Sequence, residues 1–338
     1  MQGVLNMKVL FIGGTGTISS ACIREALRRG FEVYVYNRGN HNEELPEGVH
    51  ALKGDIRDRS TTVKVLAGYR FDVVINWVAF TQEHVAQDIE MFSGKLGQYI
   101  FISSASAYSK PPAAPYVTEG TLLRNPYWEY SREKIACEGR LTEAWRETGF
   151  PVTIVRPSHT YGEKMVPSIF DRGPTIVDRI LNGRPVIVPG DGTSRWTLTH
   201  NSDFAKGFVG LLGNPAAVGE AFHITSDEAL TWDQVHQIIG TKLGRPVEIV
   251  HMSADYICAR YPEFTGPLKG DKIHTALFDN TKIKRLVPDF RCTTPFHLGI
   301  EAPLQRLHTR PEENVINKEL NSKLDDLLKH YKATVEGA

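Results

Sequence analysis

Cysteine is scarce in this chain and poorly spaced for chemistry. The four in 338 residues, Cys22, Cys137, Cys258 and Cys292, form no C-x-x-C pair. That argues against a zinc site and a disulfide framework. Free thiols in a reducing cytosol, hence a cytoplasmic protein, are the expectation. Net charge is also lacking: 39 Lys and Arg balance 39 Asp and Glu, so nothing indicates a general attraction to nucleic acid or an anionic membrane. No apolar run is long enough to span a membrane. The start, MQGVLNMKVLFIGG, lacks the basic-then-apolar order of a secretory leader; the pattern begins at Met7, a second candidate start. The 12 histidines do not cluster at ligand spacing, so no metal is expected. There is no internal repeat and no low-complexity linker.

What is present is an alternation. KVLFIGG, FEVYVYNRG, FDVVINWVAF, GQYIFISSAS and FPVTIVRPS read as strands, and VHALKGDIRD as a short strand plus turn. Between them ISSACIREALRRG, TTVKVLAGY, EHVAQDIEMFSGKL and YWEYSREKIACEGRLTEAWRETG carry helical periodicity. Buried strands alternating with helices predict an α/β protein, a Rossmann-type doubly wound parallel sheet. After Gly162 the texture changes, and a smaller, partly interleaved C-terminal α/β lobe is expected. The boundaries place a dinucleotide-binding unit at 7–162, rejoined by about 196–226, and the lobe at 163–195 and 227–338. TWDQVHQIIGTKLG reads as a helix capped by Thr231, and the tail as an amphipathic helix with Leu320, Leu324, Leu327 and Leu328 on one face.

The first strand runs into Gly13-Gly14-Thr15-Gly16, where Gly13 allows a tight turn and Gly16 a close backbone approach to a pyrophosphate at a helix N-terminus. The third glycine of such a fingerprint is replaced by Ser19, a small residue at the helix–sheet contact. The second strand ends in Asn37-Arg38, without the carboxylate that would hold the ribose 2′-OH of NAD. An arginine there suits a 2′-phosphate and favours NADP, although Arg38 also reads as a solvated surface residue. Asp55-Ile56 lies where adenine would sit, and Asp55 reads equally as a turn cap.

Tyr130 and Lys134 are four apart and share a helix face. Ser103, Ser104 and Ser106 lie earlier, at a strand end. A tyrosine with an ordinary pKa of about 10 is a poor base at neutral pH. A neighbouring ammonium favours its phenolate, which can take a proton from a substrate hydroxyl oriented by a serine. Tyr-x-x-x-Lys alone is common by chance; its place after a serine-bearing strand end is what makes it informative. Trp77, Phe80, Trp128 and Trp196 could line a sugar-binding mouth or simply fill core, and His200 reads as structural.

Taken together, GGTGTIS, GDIRD, FISSASAY, YSREK, IVRPSHTYG and GDGTSRWTLTHNSDFA resemble the short-chain dehydrogenase/reductase superfamily, in particular its extended branch, the NAD-dependent epimerase/dehydratase family. The resemblance runs from about Lys8 to Glu301. It implies Ser104, Tyr130 and Lys134 as the catalytic set. It implies cofactor contacts from Gly13, Thr15, Gly16, Thr17, Ile18, Asn37, Arg38, Asp55, Ile56, Ala79, Pro157 and His159, together with Tyr130 and Lys134. Substrate contacts are implied for Phe80, Ser106, His159 and Arg195, with His159 otherwise a hydrogen-bonded wall residue. The implied function is NAD(P)-dependent epimerisation, dehydration or oxidoreduction of a sugar or nucleotide sugar, by a homodimer. The crossover between FDVVINWVAF and YIFISS is short for the sugar-nucleotide enzymes. FDRGPTIVDRILNGRPVIVPGDG also resembles a subgroup that includes chloroplast stem-loop RNA-binding proteins of the same fold. The alternatives are therefore a dinucleotide-binding RNA-binding or regulatory protein, and an NADPH reductase of a non-sugar carbonyl or imine.

Overall fold

A computed structural model describes residues 7–171 and 173–336. Arg172, within the FDRGPTIV segment, and the last two residues of the tail lie outside them. Six strands arise in the first half: β1 (Lys8–Ile12), β2 (Glu32–Asn37), β3 (His50–Lys53), β4 (Val73–Asn76), β5 (Gln98–Ile102) and β6 (Val152–Pro157). Later come β7 (His159–Tyr161), β8 (Val186–Pro189), β9 (Arg195–Trp196), β10 (Leu198–His200), β11 (Ala221–Ile224), β12 (Leu230–Thr231) and β13 (Ile249–Met252). The main sheet has seven strands in the order β11-β6-β5-β4-β1-β2-β3, all pairings parallel. It is doubly wound, and the order reverses at β1, where a crevice opens beyond the carboxyl ends of the strands.

Helices cover both faces. On one side α1 (Thr17–Arg28) packs against α6 (Asn201–Val209). Cys22, Ile23, Phe204 and Phe208 there meet Val9, Phe11 and Ile75 of the sheet. On the other side lie α2 (Arg59–Leu66), α3 (Gln82–Phe92) and α4 (Glu129–Thr148), with Val85, Cys137 and Leu141 against Leu10, Tyr99 and Phe101. β4 and β5 are buried along their whole length, as a strand covered on both faces must be. The short crossover still accommodates the 11-residue α3.

A third core gathers around the parallel β8–β13 pair. Here pack α5 (Thr175–Leu181), α7 (Trp232–Leu243), α8 (Ala254–Arg260) and a final helix, Lys318–Glu336, whose Leu320, Leu324, Leu327 and Leu328 are buried. Its members include Tyr108 and Val117, from before residue 163. Thr231 caps α7: its hydroxyl accepts from Gln234 N at 3.1 Å, and the Gln234 side chain accepts from Thr231 N at 2.9 Å. Among the described residues no helix is long and apolar enough to cross a membrane.

The β1–α1 turn, which faces the crevice, is tightly packed. Gly14 has φ 127°, and a Cβ there would lie 3.0 Å from Ile23 Cδ1 and 3.1 Å from Val35 Cγ1. Gly30, at the far end of α1, has φ 85° and nothing within 4 Å of that position. Gly30→Ala should cost about 1–2 kcal/mol from left-handed backbone alone, and Gly14→Ala at least about 1 kcal/mol more from overpacking. Urea unfolding measures both; equal losses would refute the packing argument.

Candidate active site

The site grows from the turn. Gly13 (φ 94°) leaves bare backbone facing Trp77, whose Cβ would lie 3.2 Å from any Cβ added there. Gly16 caps α1, and the first turn of that helix has no acidic residue, so its N–H groups and dipole suit an anion. Ser19 does more than tolerate the missing third glycine. It is 3% exposed, and its hydroxyl accepts from Gly16 N at 3.1 Å, closing the turn from inside. Bare glycine backbone at a helix N-terminus fits the pyrophosphate of a dinucleotide.

Two cavities meet at this turn, sharing Gly13, Thr15 and Val78 in their walls. One, of about 450 Å³, includes Asn37, Arg38, Asp55, Ile56 and Phe80 in its lining. The other, of about 370 Å³, includes Gly16, Thr17, Ile18, Ser104, Tyr130 and Pro157. Together they form one groove across the strand ends. Asn37 Oδ1 accepts from Gly39 N at 2.7 Å, and Asp55 Oδ1 accepts from Arg57 N at 2.9 Å. Asp55 therefore caps its turn and also lines the groove. An ion pair of 2.5 Å between Lys164 and Glu44 ties the segment beside Met165 to the one after His41.

Beneath the second cavity lies Lys134, 2% exposed. Its ammonium donates to Ala79 O at 2.6 Å and Ile102 O at 2.8 Å. It also sits 4.6 Å from the Phe80 ring centre and 5.8 Å from that of Tyr130. Burial lowers its pKa to about 8, against the pull of Cys137 and Glu138. Ala79 thus meets the lysine through its carbonyl. Ser131 donates to Ser106 Oγ at 2.7 Å, and Ser106 shares a 2.8 Å bond with Ser104 Oγ, a short hydroxyl chain ending beside Tyr130 in the groove wall. Asn125 fixes the approach to α4: it donates to Ser106 O at 2.8 Å and Gly270 O at 2.7 Å, and accepts from Trp128 N at 3.2 Å.

Neither cavity's lining includes His159 or Arg195. The reason is strand alternation. Ser158 and Thr160 line the groove, so His159 points the other way, 5% exposed between the rings of Trp196 (6.4 Å) and Trp232 (6.0 Å). On β9 Trp196 is 1% exposed and turns inward, leaving its neighbour Arg195 exposed. Ser106 is buried within the hydroxyl chain, and Phe80 lines the cavity that holds Arg38.

Several residues with a part in the site carried no sequence signal. His84 Nδ1 accepts from Phe80 N at 3.1 Å and Thr81 N at 3.3 Å, shaping the groove wall, and burial lowers its pKa. Asn76 accepts from Val78 N at 2.8 Å and donates at 2.6 Å to Asp88. The Asp88 carboxyl is fully buried and its pKa is pushed up to about 6 by desolvation. Arg57 donates to Val78 O from across the groove. The spacing of polar residues along helices, read together with strand ends, is the one cue that could have flagged His84 and Asp88.

Residues 9–94 and 89–225 match the NAD dependent epimerase/dehydratase family. A 2'-dehydrokanamycin reductase of Streptomyces kanamyceticus is 26% identical over 287 residues, 84% of this chain and 80% of that one. The chloroplast stem-loop binding protein of 41 kDa b of Arabidopsis thaliana is 29% identical over 258 residues, 72% and 65% of the two chains. In fold, the chain resembles an epimerase, Mth375, of Methanothermobacter thermautotrophicus, with TM-score 0.75 and 19% identity over 91% of this chain and 94% of that one. With its parallel sheet, its glycine turn and this match over most of its length, the chain belongs to the NAD dependent epimerase/dehydratase family of extended short-chain dehydrogenases/reductases, which are NAD(P)-dependent enzymes.

Proposed function

We propose that this enzyme acts on a sugar or nucleotide sugar, with Tyr130 as acid/base, Ser104 orienting the reacting oxygen and Lys134 supporting both tyrosine and cofactor. The observation that carries the reading is the buried Lys134 ammonium beneath a groove wall that contains Ser104 and Tyr130. When bound, a nicotinamide supplies the acceptor and donor of a hydride. The protein's part is proton movement and orientation. Low local dielectric strengthens the field of the ammonium on the nearby phenol ring, which favours loss of the phenolic proton. The hydroxyl chain Ser131–Ser106–Ser104 holds the Ser104 oxygen in place. Ser104 and Tyr130 can then both meet one substrate oxygen, and the tyrosine takes its proton or returns one.

The chemical outcome depends on whether the substrate that loses hydride also regains it, which gives epimerisation or dehydration, or a second molecule receives it, which gives oxidoreduction. Similarity to a named reductase over most of both chains supports keeping reduction of a sugar-like ketone as the second reading. The RNA-binding alternative draws on the Arabidopsis relative; salt-sensitive RNA binding without turnover would favour it. Incubating the protein with NAD or NADP and a panel of UDP- and dTDP-sugars, with products followed by NMR, tests the enzyme reading. Tyr130→Phe should lower kcat at least about 100-fold, the scale of general acid/base catalysis, while cofactor affinity stays within threefold. Unchanged turnover in that variant would refute the assignment.

NADP is the proposed preference. Arg38 lines the groove, and the Lys53 stem passes 3.3 Å from where a Cβ on Gly39 would stand, so two cations flank the end of β2. Arg38→Ala should weaken NADP at least about tenfold, as loss of a charge-assisted phosphate contact does, and NAD less than threefold. Tighter NAD binding by the wild type would sink the preference.

The Lys134 pKa of about 8 sets a pH dependence. Its ammonium is present below about 8 and lost above. Cofactor affinity should therefore fall between pH 7 and 9.5, and Lys134→Met should flatten that dependence; fluorescence titration of the reduced cofactor reads both. Stability moves oppositely. The folded pKa lies below the unfolded value of about 10.4, so the unfolded chain binds more protons between the two, and this group's contribution to stability rises from pH 8 to 10.

A further inference from the structure

We propose that Glu138 and Arg156 form a positioning pair that fixes the Tyr130–Lys134 face of α4 against the strand end carrying Ser104. The proposal rests on the reading of those three residues given above.

Glu138 lies one helical turn beyond Lys134 and two beyond Tyr130, on the same face of α4. Its Oε1 accepts from Ser103 Oγ at 2.5 Å and from Arg156 Nε at 2.9 Å; its Oε2 accepts from Arg156 Nη2 at 2.6 Å. Ser103, just past the end of β5, lines the groove beside Ser104, and Arg156 on β6 precedes the lining Pro157, so one carboxylate ties both strand ends at the groove wall. Glu138, Arg156 and Ser103 are 3%, 5% and 3% exposed.

Arg156 is fixed from its other side too. Its Nη1 donates to Tyr108 OH at 3.2 Å and Glu119 O at 3.0 Å. Tyr108 OH bonds His223 Nδ1 at 3.0 Å, and His223 Nε2 bonds Asp279 O at 2.8 Å. A buried ion pair adds little stability over apolar residues of similar volume. What a forked guanidinium–carboxylate contact adds is geometry, because an apolar helix contact can slide and a two-bond fork cannot. Asn125 holds the start of α4 at Trp128 N, and the pair adds a second tether further along the helix, at Glu138.

The charged and titratable groups about Lys134 are Tyr130, Cys137 and Glu138 on α4 and His84 on α3. Glu138 faces Arg156, with Tyr108, Glu119 and His223 beyond. Replacing both partners, Glu138→Leu with Arg156→Met, leaves the net charge unchanged and removes the fork. Tyrosine labelled at Cζ with ¹³C reports ionisation in the protein saturated with NAD, and Tyr130→Phe identifies the signal by its loss.

Positioning predicts that the Tyr130 titration midpoint rises by about one pH unit or more in the double variant, tenfold less phenolate at fixed pH. Ser103→Ala, which removes a single hydroxyl, should move it the same way by less and carries the test if the double variant does not fold. An unmoved or lowered midpoint in a folded variant overturns the proposal. Lys134→Met separates the two failures. If the midpoint ignores that change, the Tyr130–Lys134 reading is wrong; if it responds to Lys134→Met alone, only the positioning pair is wrong.

Discussion

One buried cation organises the candidate site. A lysine ammonium 2% exposed has lost most of its water, and desolvating a charge is affordable only with close partners. Lys134 finds them in two main-chain carbonyls, Ala79 O after β4 and Ile102 O at the end of β5. Those carbonyls are available because parallel strands end there, with no further strand partner to take them. The same bonds therefore seat the helix and hold the Ala79–Phe80 turn, while the burial they permit lowers the lysine pKa to about 8. Loosening either strand end would alter all three.

That turn is itself held by other buried polar groups. Asn76 reads the Val78 amide, and the Asn76 amide group is in turn oriented by Asp88, which also accepts from Tyr99 OH at 2.5 Å. His84 takes the amides of Phe80 and Thr81. Three of the four amides of residues 78–81 are thus bonded by side chains from α3 and β4. Val78 is common to both cavities, so these bonds hold a wall that the two share.

Much of this was legible in sequence because its signals are local. Apolar runs alternating with helical periodicity foretold a doubly wound sheet, and Gly13, Gly16, Tyr130 and Lys134 were singled out by spacing together with their places after strand ends. What stayed hidden depends on partners far along the chain. Ser19 looked like a gap in a motif until its bond to Gly16 was visible. Glu138 and Arg156 are ordinary charged residues in sequence and meet only once α4 lies on β6. His159 and Arg195 were expected at the ligand by motif position. The period of two along β7 and β9 turns His159 and Trp196 inward together and leaves Arg195 exposed. Direction of a side chain, unlike its place in a motif, needs the neighbours to be known.

The strand β11 enters the sheet late, after β7 to β10 have been laid outside it, and it pairs along β6 from Ile154 to Pro157. β6 is fully buried along its length. A nascent chain that had emerged only as far as α6 would therefore present β6 as an apolar edge with unpaired amides, the form of strand most prone to join another chain. Synthesis must pass residue 224 before the nucleotide-binding half closes, so a chain stalled or cleaved before that point leaves an adhesive fragment rather than a smaller working unit.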